Sequence, residues 1–202
     1  ACRAKGATVV AGTVDVVDRE KLATWVTGFD EAHPVDLLIA NAGISIDKDN
    51  SSLDDFSRIR KTFEVNVDGV FNTVEPLLPR LMARRRGQIA VVASLASFIG
   101  LPYSASYNAS KAAVRVWGES IRYVLKKHGI GVSVVCPGFV VSRMTANAPF
   151  PMPFLMTSAR AASIIRRGLE RNHARIAFPI GTKADDGTIY FVPNLNAGIW
   201  RV

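Results

Sequence analysis

Hydrophobic and polar positions follow two different periods along this chain. Short, nearly continuous apolar runs alternate with longer segments in which apolar residues recur every three or four positions. The first pattern is typical of strands buried on both faces, and the second is typical of amphipathic helices. Regular alternation of the two predicts an α/β fold, a doubly wound parallel sheet of the Rossmann-like kind. All residues, 1–202, are expected to form a single domain.

The same patterns place the individual elements. Strands are predicted at residues 7–14, 35–40, 88–94, 131–136 and 174–178. Helices are predicted at residues 19–29, from a cap at Ser51 or Ser52 to Gly87, from near Ser104 to Gly129, and from a cap at Thr157 or Ser158 to about residue 172. Pro76 and Pro79 should bend the second of these helices. The third helix is expected to turn six residues inward: Ala109, Ala113, Val116, Trp117, Ile121 and Val124.

Polar and glycine-containing signals follow four of the predicted strands. They are Asp15, the segment Asn41-Ala42-Gly43, Ser94, and the pair Pro137-Gly138. In parallel sheets the carboxyl ends of the strands lie on one edge, and ligands bind there. The sequence therefore predicts one site built from all four signals.

The helix near Ser104 carries a possible acid–base pair. Tyr107 and Lys111 are four residues apart, so they stand on the same helix face. An ammonium beside a phenol favours the phenolate, so Lys111 is expected to lower the pKa of Tyr107 toward neutrality. Ser94, at the end of a strand, can reach the same rim. An ordinary amphipathic pair remains the alternative interpretation.

Composition narrows the function classes. The net charge is +8, but the basic residues are scattered, with one cluster at Arg84-Arg85-Arg86, so we expect no nucleic-acid role. No apolar stretch is long enough to span a membrane, and no signal peptide opens the chain, so a cytoplasmic location is expected. The two cysteines predict no disulfide framework, and Cys136 is expected to be a buried thiol. The three histidines show no metal spacing, and no metal site is expected.

These motifs together resemble the short-chain dehydrogenase/reductase family. The matching residues occur in the family's order and spacing from about residue 7 to residue 178: Asn41-Ala42-Gly43, Asn66, Ser94, Tyr107-x-x-x-Lys111 and Pro137-Gly138-x-x-x-Ser142. The resemblance implies NAD(P)-dependent interconversion of a secondary alcohol and a carbonyl. It also implies a homodimer or homotetramer in which the long helices that begin near Leu53 and Ser104 pair with their copies.

The resemblance further assigns roles to individual residues. Tyr107 would be the general acid/base, Lys111 would lower its pKa and bind the nicotinamide ribose, and Ser94 would polarise the substrate oxygen. Asn66 would hold a water molecule in a proton relay to Lys111. The resemblance also implies contacts to NAD or NADP. Asp15 and Val16 would flank the adenine, and Asn41, Ala42 and Gly43 would let the backbone approach the adenosine ribose. Pro137 and Gly138 would also contact the cofactor, and Val140 and Ser142 would hold its carboxamide end.

Simpler interpretations remain open for several of these residues. Asn66 lies on an apolar stripe and could be a satisfied core amide. Ser142 and Asp15 could serve only turns or caps. The apolar segment 144–156 corresponds to the family's lid and favours an apolar substrate, although packing against a neighbouring subunit explains it equally well.

The sequence also departs from the family's pattern. The family's first strand, its glycine-rich turn and its second strand would precede Ala7, and Gly129-Ile130-Gly131 precedes a strand instead of a helix. We therefore expect an N-terminally incomplete fold, in which strand 7–14 has no neighbour and strand 35–40 has an open apolar edge. Two other hypotheses follow: a non-catalytic scaffold or interaction protein without cofactor binding, and an isomerase or dehydratase that shows no net change of cofactor.

Overall fold

A four-stranded parallel sheet forms the centre of the molecule. The computed structural model describes residues 2–45, 55–101, 104–146 and 151–179. Its strands are β1 (Leu37–Ala40), β2 (Gly87–Val92), β3 (Ile130–Pro137) and β4 (Arg175–Phe178), in the order β1-β2-β3-β4. All three pairings are parallel. The predicted Rossmann-like α/β fold is thus confirmed.

Helices cover both faces of this sheet. They are α1 (Arg19–Ala32), α2 (Phe56–Phe63), α3 (Gly69–Val74), α4 (Leu78–Arg84), α5 (Ala105–Lys126) and α6 (Ser158–Glu170). A π-turn, Glu64–Asp68, joins α2 to α3, and a 3-10 turn, Leu95–Phe98, follows β2. The larger core lies between the sheet and α1 to α5, and the smaller core lies against α6. Consecutive buried residues of β3, such as Val134 and Val135, therefore face different helical layers.

The predicted strand 7–14 is wrong. This segment has no regular secondary structure and makes no sheet pairing. Gly12 lies so close to Trp25 that a Cβ would come within 2.4 Å of the indole nitrogen. A strand exists only through hydrogen bonds to a neighbour. Among the described residues no strand lies beside it. β1 shows the expected open apolar edge, since Leu37 is 41% exposed and Ile39 is 46% exposed.

The second predicted helix, from Ser51 or Ser52 to Gly87, is divided into α2, α3 and α4, and both of its boundaries differ from the prediction. The expected caps Ser51 and Ser52 lie outside the described residues, and α2 begins after Asp55, whose carboxylate accepts hydrogen bonds from the Ser57 and Arg58 amides at 3.1 and 3.3 Å. At the other end, Gly87 does not end a helix but starts β2. Arg85 takes the left-handed conformation after α4, with φ at 52°.

Helix α5 lies unusually close to the sheet. A Cβ on Gly118 would stand 2.7 Å from the Val91 methyl and 2.8 Å from the Val134 methyl, so only glycine allows this approach. The inward stripe expected for α5 is mostly wrong, because only Trp117 and Ile121 pack against the core. The other four residues are exposed: Ala109, Ala113, Val116 and Val124. The buried residues of α5 are instead mostly polar or small: Ser106, Asn108, Ser110, Lys111, Val114, Gly118 and Leu125.

Candidate active site

Ser94 lies just beyond the carboxyl end of β2, at the predicted edge of the sheet. Its hydroxyl oxygen accepts a hydrogen bond from the Ala96 amide at 3.1 Å and caps the 3-10 turn Leu95–Phe98. The same hydroxyl donates to the Pro137 carbonyl at the end of β3, at 3.4 Å. Ser94 is thus fixed by two strands and by the turn that follows it.

Tyr107 lies in the first turn of α5, next to Ser94. A hydrogen bond links the two side chains. Burial raises the pKa of the Tyr107 phenol, because the phenolate would lose water, while the hydrogen bond to Ser94 opposes this effect. The expected lowering of the Tyr107 pKa is therefore not found, since burial outweighs it.

Lys111 lies one turn further along α5 and is only 3% exposed. Its Nζ donates a hydrogen bond to the carbonyl of Val92 at 2.9 Å and stands 5.9 Å from the centroid of the Tyr107 ring. Burial lowers the pKa of Lys111 to about 8, because the ammonium is taken out of water. The amine is therefore on the expected face, with a backbone carbonyl as its hydrogen-bond acceptor.

Asn66 is fully buried in the π-turn between α2 and α3. Its side-chain oxygen accepts from the Ile44 amide at 2.8 Å, and its nitrogen donates to the Ile44 carbonyl at 2.9 Å. The nitrogen also donates to the Ser110 hydroxyl at 3.0 Å, which in turn donates to the Tyr107 carbonyl at 2.8 Å. The side chain thus ties the segment after β1 to α5. Ser110 was not singled out from the sequence, where it reads as an ordinary helix residue.

Gly43 completes this cluster. A Cβ at Gly43 would lie 3.1 Å from the Lys111 Nζ and 3.2 Å from the Asn66 side-chain oxygen. Any larger residue would press on both groups. The absent side chain leaves the backbone after β1 close to the amine, where a bound molecule could approach both.

The turn after β3 brings a second segment to the same edge. Pro137 ends β3, and the Gly138 amide donates to the Phe178 carbonyl at 2.7 Å. Val140 pairs with Met156 in an isolated parallel bridge. The Ser142 amide donates to the Thr145 hydroxyl at 2.9 Å, so this serine takes part in a turn.

The other expected cofactor residues occupy two further loops. The Asp15 carboxylate accepts from the Val17 amide at 3.1 Å in the turn before α1. Val16 packs against Gly69, where a Cβ would come within 2.7 Å of its methyl group. Asn41 and Ala42 are exposed directly after β1. Of the site residues expected from the sequence, the structure joins five in one contact network: Gly43, Asn66, Ser94, Tyr107 and Lys111.

Cys136, buried near the end of β3, is chemically quiet. Burial raises its pKa to about 12, so the thiol keeps its proton at neutral pH. Among the described residues, no group of three or more His, Cys, Asp or Glu side chains could hold a metal ion.

The cluster around Gly43 fits one end of a nicotinamide cofactor. It offers a buried amine, a neighbouring phenol and a backbone without a side chain, which suit a ribose and its hydroxyl groups. The described residues thus fit the nicotinamide ribose end of such a cofactor.

Comparison with known proteins agrees with an α/β oxidoreductase. Residues 1–150 match the family model described as short chain dehydrogenase. An uncharacterized oxidoreductase of Myxococcus xanthus is 37% identical over 178 residues, which are 88% of this chain and 70% of that protein. The chain belongs to the short-chain dehydrogenase/reductase family.

Particular relatives extend this comparison. The ketoacyl reductase HetN of Nostoc is 36% identical over 69% of this chain and 49% of its own length. The human 17-beta-hydroxysteroid dehydrogenase 13 is 34% identical over 88% of this chain and 60% of its own length. A short chain dehydrogenase of Burkholderia cenocepacia, solved in complex with NADP, is 28% identical with a TM-score of 0.75, covering 85% of this chain and 72% of that one. The chain thus spans about half of HetN and 60% of the human relative.

Proposed function

We propose that the protein is an NAD(P)-dependent oxidoreductase that interconverts a secondary alcohol and a carbonyl. The observation that carries the proposal is the hydrogen bond between Ser94 and Tyr107, with the Lys111 amine 5.9 Å from the Tyr107 ring. The solved relative with bound NADP supports a nicotinamide cofactor. When bound, such a cofactor supplies or accepts the hydride.

The remaining chemistry is proton transfer, and this chain's own residues provide it. Tyr107 would donate its phenolic proton to the substrate oxygen during reduction and take it back during oxidation. Ser94, already hydrogen-bonded to Tyr107, would turn its hydroxyl proton from the Pro137 carbonyl to the same substrate oxygen and polarise it. Burial raises the pKa of Tyr107, so the phenol is protonated at neutral pH and would act as a proton donor.

Lys111 and Asn66 would support this transfer. With a pKa of about 8, the Lys111 ammonium is charged at neutral pH and would stabilise the phenolate that forms as Tyr107 gives up its proton. Asn66 would complete the relay by holding the backbone of Ile44 beside the amine and, in the expected role, a water molecule. Gly43 would leave room for the ribose of the cofactor.

We further propose an apolar substrate. Large apolar side chains, each at least 39% exposed, lie in the segments that follow β2 and β3 at the site's edge: Ile99, Leu101, Met144, Phe154 and Leu155. A surface of this kind favours a hydrophobic ligand. Relatives named as a ketoacyl reductase and a 17-beta-hydroxysteroid dehydrogenase support the same substrate class. Either NAD or NADP is compatible with the proposal, which includes a homodimer or homotetramer.

The test is Tyr107→Phe, which removes the proton donor and keeps the ring. We expect turnover of a hydrophobic secondary alcohol or ketone, followed by NAD(P)H absorbance, to fall about 10²- to 10⁴-fold. Tyr123→Phe is the matched control, because Tyr123 lies on the same helix and is 63% exposed. Undiminished turnover in Tyr107→Phe would refute the assignment of the acid.

A non-catalytic scaffold is the second candidate. One observation favours it: the Asn66 side chain is already hydrogen-bonded to Ile44 and Ser110. Titrating NADH and NADPH fluorescence against the chain separates the two candidates. Saturable binding eliminates the scaffold reading, and its absence supports it.

A further inference from the structure

An ionic cluster lies beneath the turn that follows Ser94, away from the reacting groups. Glu119 of α5 accepts hydrogen bonds from the Arg115 guanidinium at 3.2 and 3.4 Å. The same carboxylate accepts from the Arg175 Nε at 2.8 Å and from its terminal nitrogen. One carboxylate thus binds two guanidinium groups and joins α5 to β4.

The two arginines also hold the turn Leu95–Phe98. The Phe98 ring lies 4.4 Å from the Arg115 guanidinium carbon and 5.3 Å from that of Arg175, which is cation–π distance. In addition, Arg115 donates to the Ser97 carbonyl at 3.4 Å. The turn is therefore fixed at its far end by side chains that Glu119 orients.

Ser94 caps the near end of this turn. The Ala96 amide donates to the Ser94 hydroxyl, and the Ser97 amide donates to the Ser94 carbonyl at 3.1 Å. Ser94 and Tyr107 lie on different elements, the turn and α5. Their separation depends on how firmly the turn is held to α5, and the Glu119 cluster is a direct tie between them.

The cluster is enclosed enough for its charges to matter. The side chains of Arg115, Glu119 and Arg175 are 17%, 27% and 24% exposed. Without the carboxylate, two guanidinium groups would face each other with no counter-ion in the cluster. Their mutual repulsion would move them off Phe98 and release the turn.

We propose that Glu119 is a positioning residue that fixes the Ser94 hydroxyl against the Tyr107 phenol by way of Arg115, Arg175 and Phe98. This inference rests on the proposed function, because it concerns the geometry of that same pair. Glu119 touches neither reacting group, so its effect is on orientation. Small misplacements of reacting groups cost large factors in rate, up to about 10²-fold for 1 Å.

The experiment compares Glu119→Gln, which removes the charge, with Glu119→Asp, which keeps it. For Glu119→Gln we expect kcat to fall about tenfold or more while KM changes less than about twofold, because orientation acts in the transition state. Glu119→Asp should recover much of the loss. Glu170→Gln is the control, since Glu170 forms an exposed pair with Arg166 at 3.6 Å.

A second readout is independent of turnover. Hydrogen exchange at the Ala96 and Ser97 amides should accelerate in Glu119→Gln and stay unchanged in Glu170→Gln, because these amides report the turn directly. If Glu119→Gln does not fold, Arg115→Lys tests the same tie, since lysine keeps the charge but loses the fork and the stacking plane.

The outcomes separate the two proposals. A lowered melting temperature with unchanged kcat and unchanged exchange at the turn would overturn the positioning role and leave Glu119 a structural residue. Full turnover in Tyr107→Phe would overturn the proposed function instead. Hydrogen exchange at Ala96 and Ser97 would still show whether Glu119 holds the turn Leu95–Phe98 to α5.

Discussion

At the residue scale, burial of the Lys111 ammonium lowers the free energy of unfolding. Lys111 is 3% exposed and its hydrogen bond goes to the neutral carbonyl of Val92. A charge held in this way weakens folding, because water solvated it better in the unfolded chain. The lowered pKa of about 8 expresses the same cost.

This cost predicts how stability depends on pH. The pKa of Lys111 is about 8 when folded, against 10.5 as its ordinary value, so the unfolded chain binds more protons between these two pH values. The penalty is complete below pH 8 and is relieved as pH rises toward 10.5. Lys111→Met should therefore be more stable at pH 7, by about 2 kcal/mol after subtracting about 1 for the lost hydrogen bond.

Urea denaturation at pH 7 and pH 10 measures this effect. The advantage of Lys111→Met should shrink at the higher pH, where the native lysine loses its charge. Lys126→Met changes an exposed side chain of the same helix and should keep the pH dependence of the native sequence. A constant difference across the two pH values would contradict the buried-charge account.

Sequence reasoning reached some of these residues and missed others for a physical reason. The pair Tyr107 and Lys111 is local, because helical spacing alone places both on one face. The acceptor of Lys111 and the partners of Asn66 come from other elements, at Val92, Ile44 and Ser110. The sequence does not show that Tyr107 is buried, and burial raises its pKa, so the expected direction of the pKa shift was wrong.

At the element scale, two glycines in helices have opposite surroundings. A Cβ at Gly28 in α1 would meet nothing within 4 Å, whereas one at Gly118 in α5 would strike Val91 and Val134. Gly28→Ala should stabilise the fold by about 0.5–1 kcal/mol through helix propensity. Gly118→Ala should destabilise the fold by about 1–3 kcal/mol, because the added methyl group would clash with the sheet.

Chemical denaturation of the two variants tests this contrast. Each serves as the control for the other, since the substitution is the same and only the environment differs. Gly118→Ala should also reduce turnover, because α5 carries Tyr107 and must move away from the sheet. Equal effects on stability would show that α5 does not rest on the sheet at Gly118.

Elements were predicted well where packing follows periodicity and poorly where it does not. Helices α1 and α6 and the four strands of the sheet match their apolar patterns. Segment 7–14 has the composition of a strand, but no neighbouring strand among the described residues pairs with it. Most of the inward stripe expected for α5 was wrong, because the close approach of α5 to the sheet at Gly118 depends on a glycine that the apolar pattern does not count.

At the scale of the whole molecule, apolar side chains on α5 face outward. Val116, Tyr123 and Val124 are 51%, 63% and 57% exposed and share one side of the helix. The position of the site at the carboxyl edge of the sheet was predictable from the sequence, because parallel strands all end on the same edge.

Among the described residues, no helix is long and apolar enough to cross a membrane.

The outward face of α5 tests the proposed homo-oligomer. If copies pair through this helix, light scattering should give two or four times the chain mass of 21.9 kDa. Tyr123→Glu should then shift the mass toward the single chain, because a carboxylate would be buried at the interface. Thr24→Glu, at an exposed site on α1, is the control. A mass of one chain at high concentration would contradict pairing.

The π-turn at Glu64–Asp68 constrains the number of residues as well as their identity. It accommodates a residue beyond the regular α-helical count, and Asn66 lies at its centre. Deleting one residue other than Asn66 between Phe56 and Gly69 should restore ordinary winding and rotate Asn66 by about 100° relative to one end of the helix. Homologues that keep the Asn66 bridge to Ile44 should therefore align across this stretch with neither gap nor insertion.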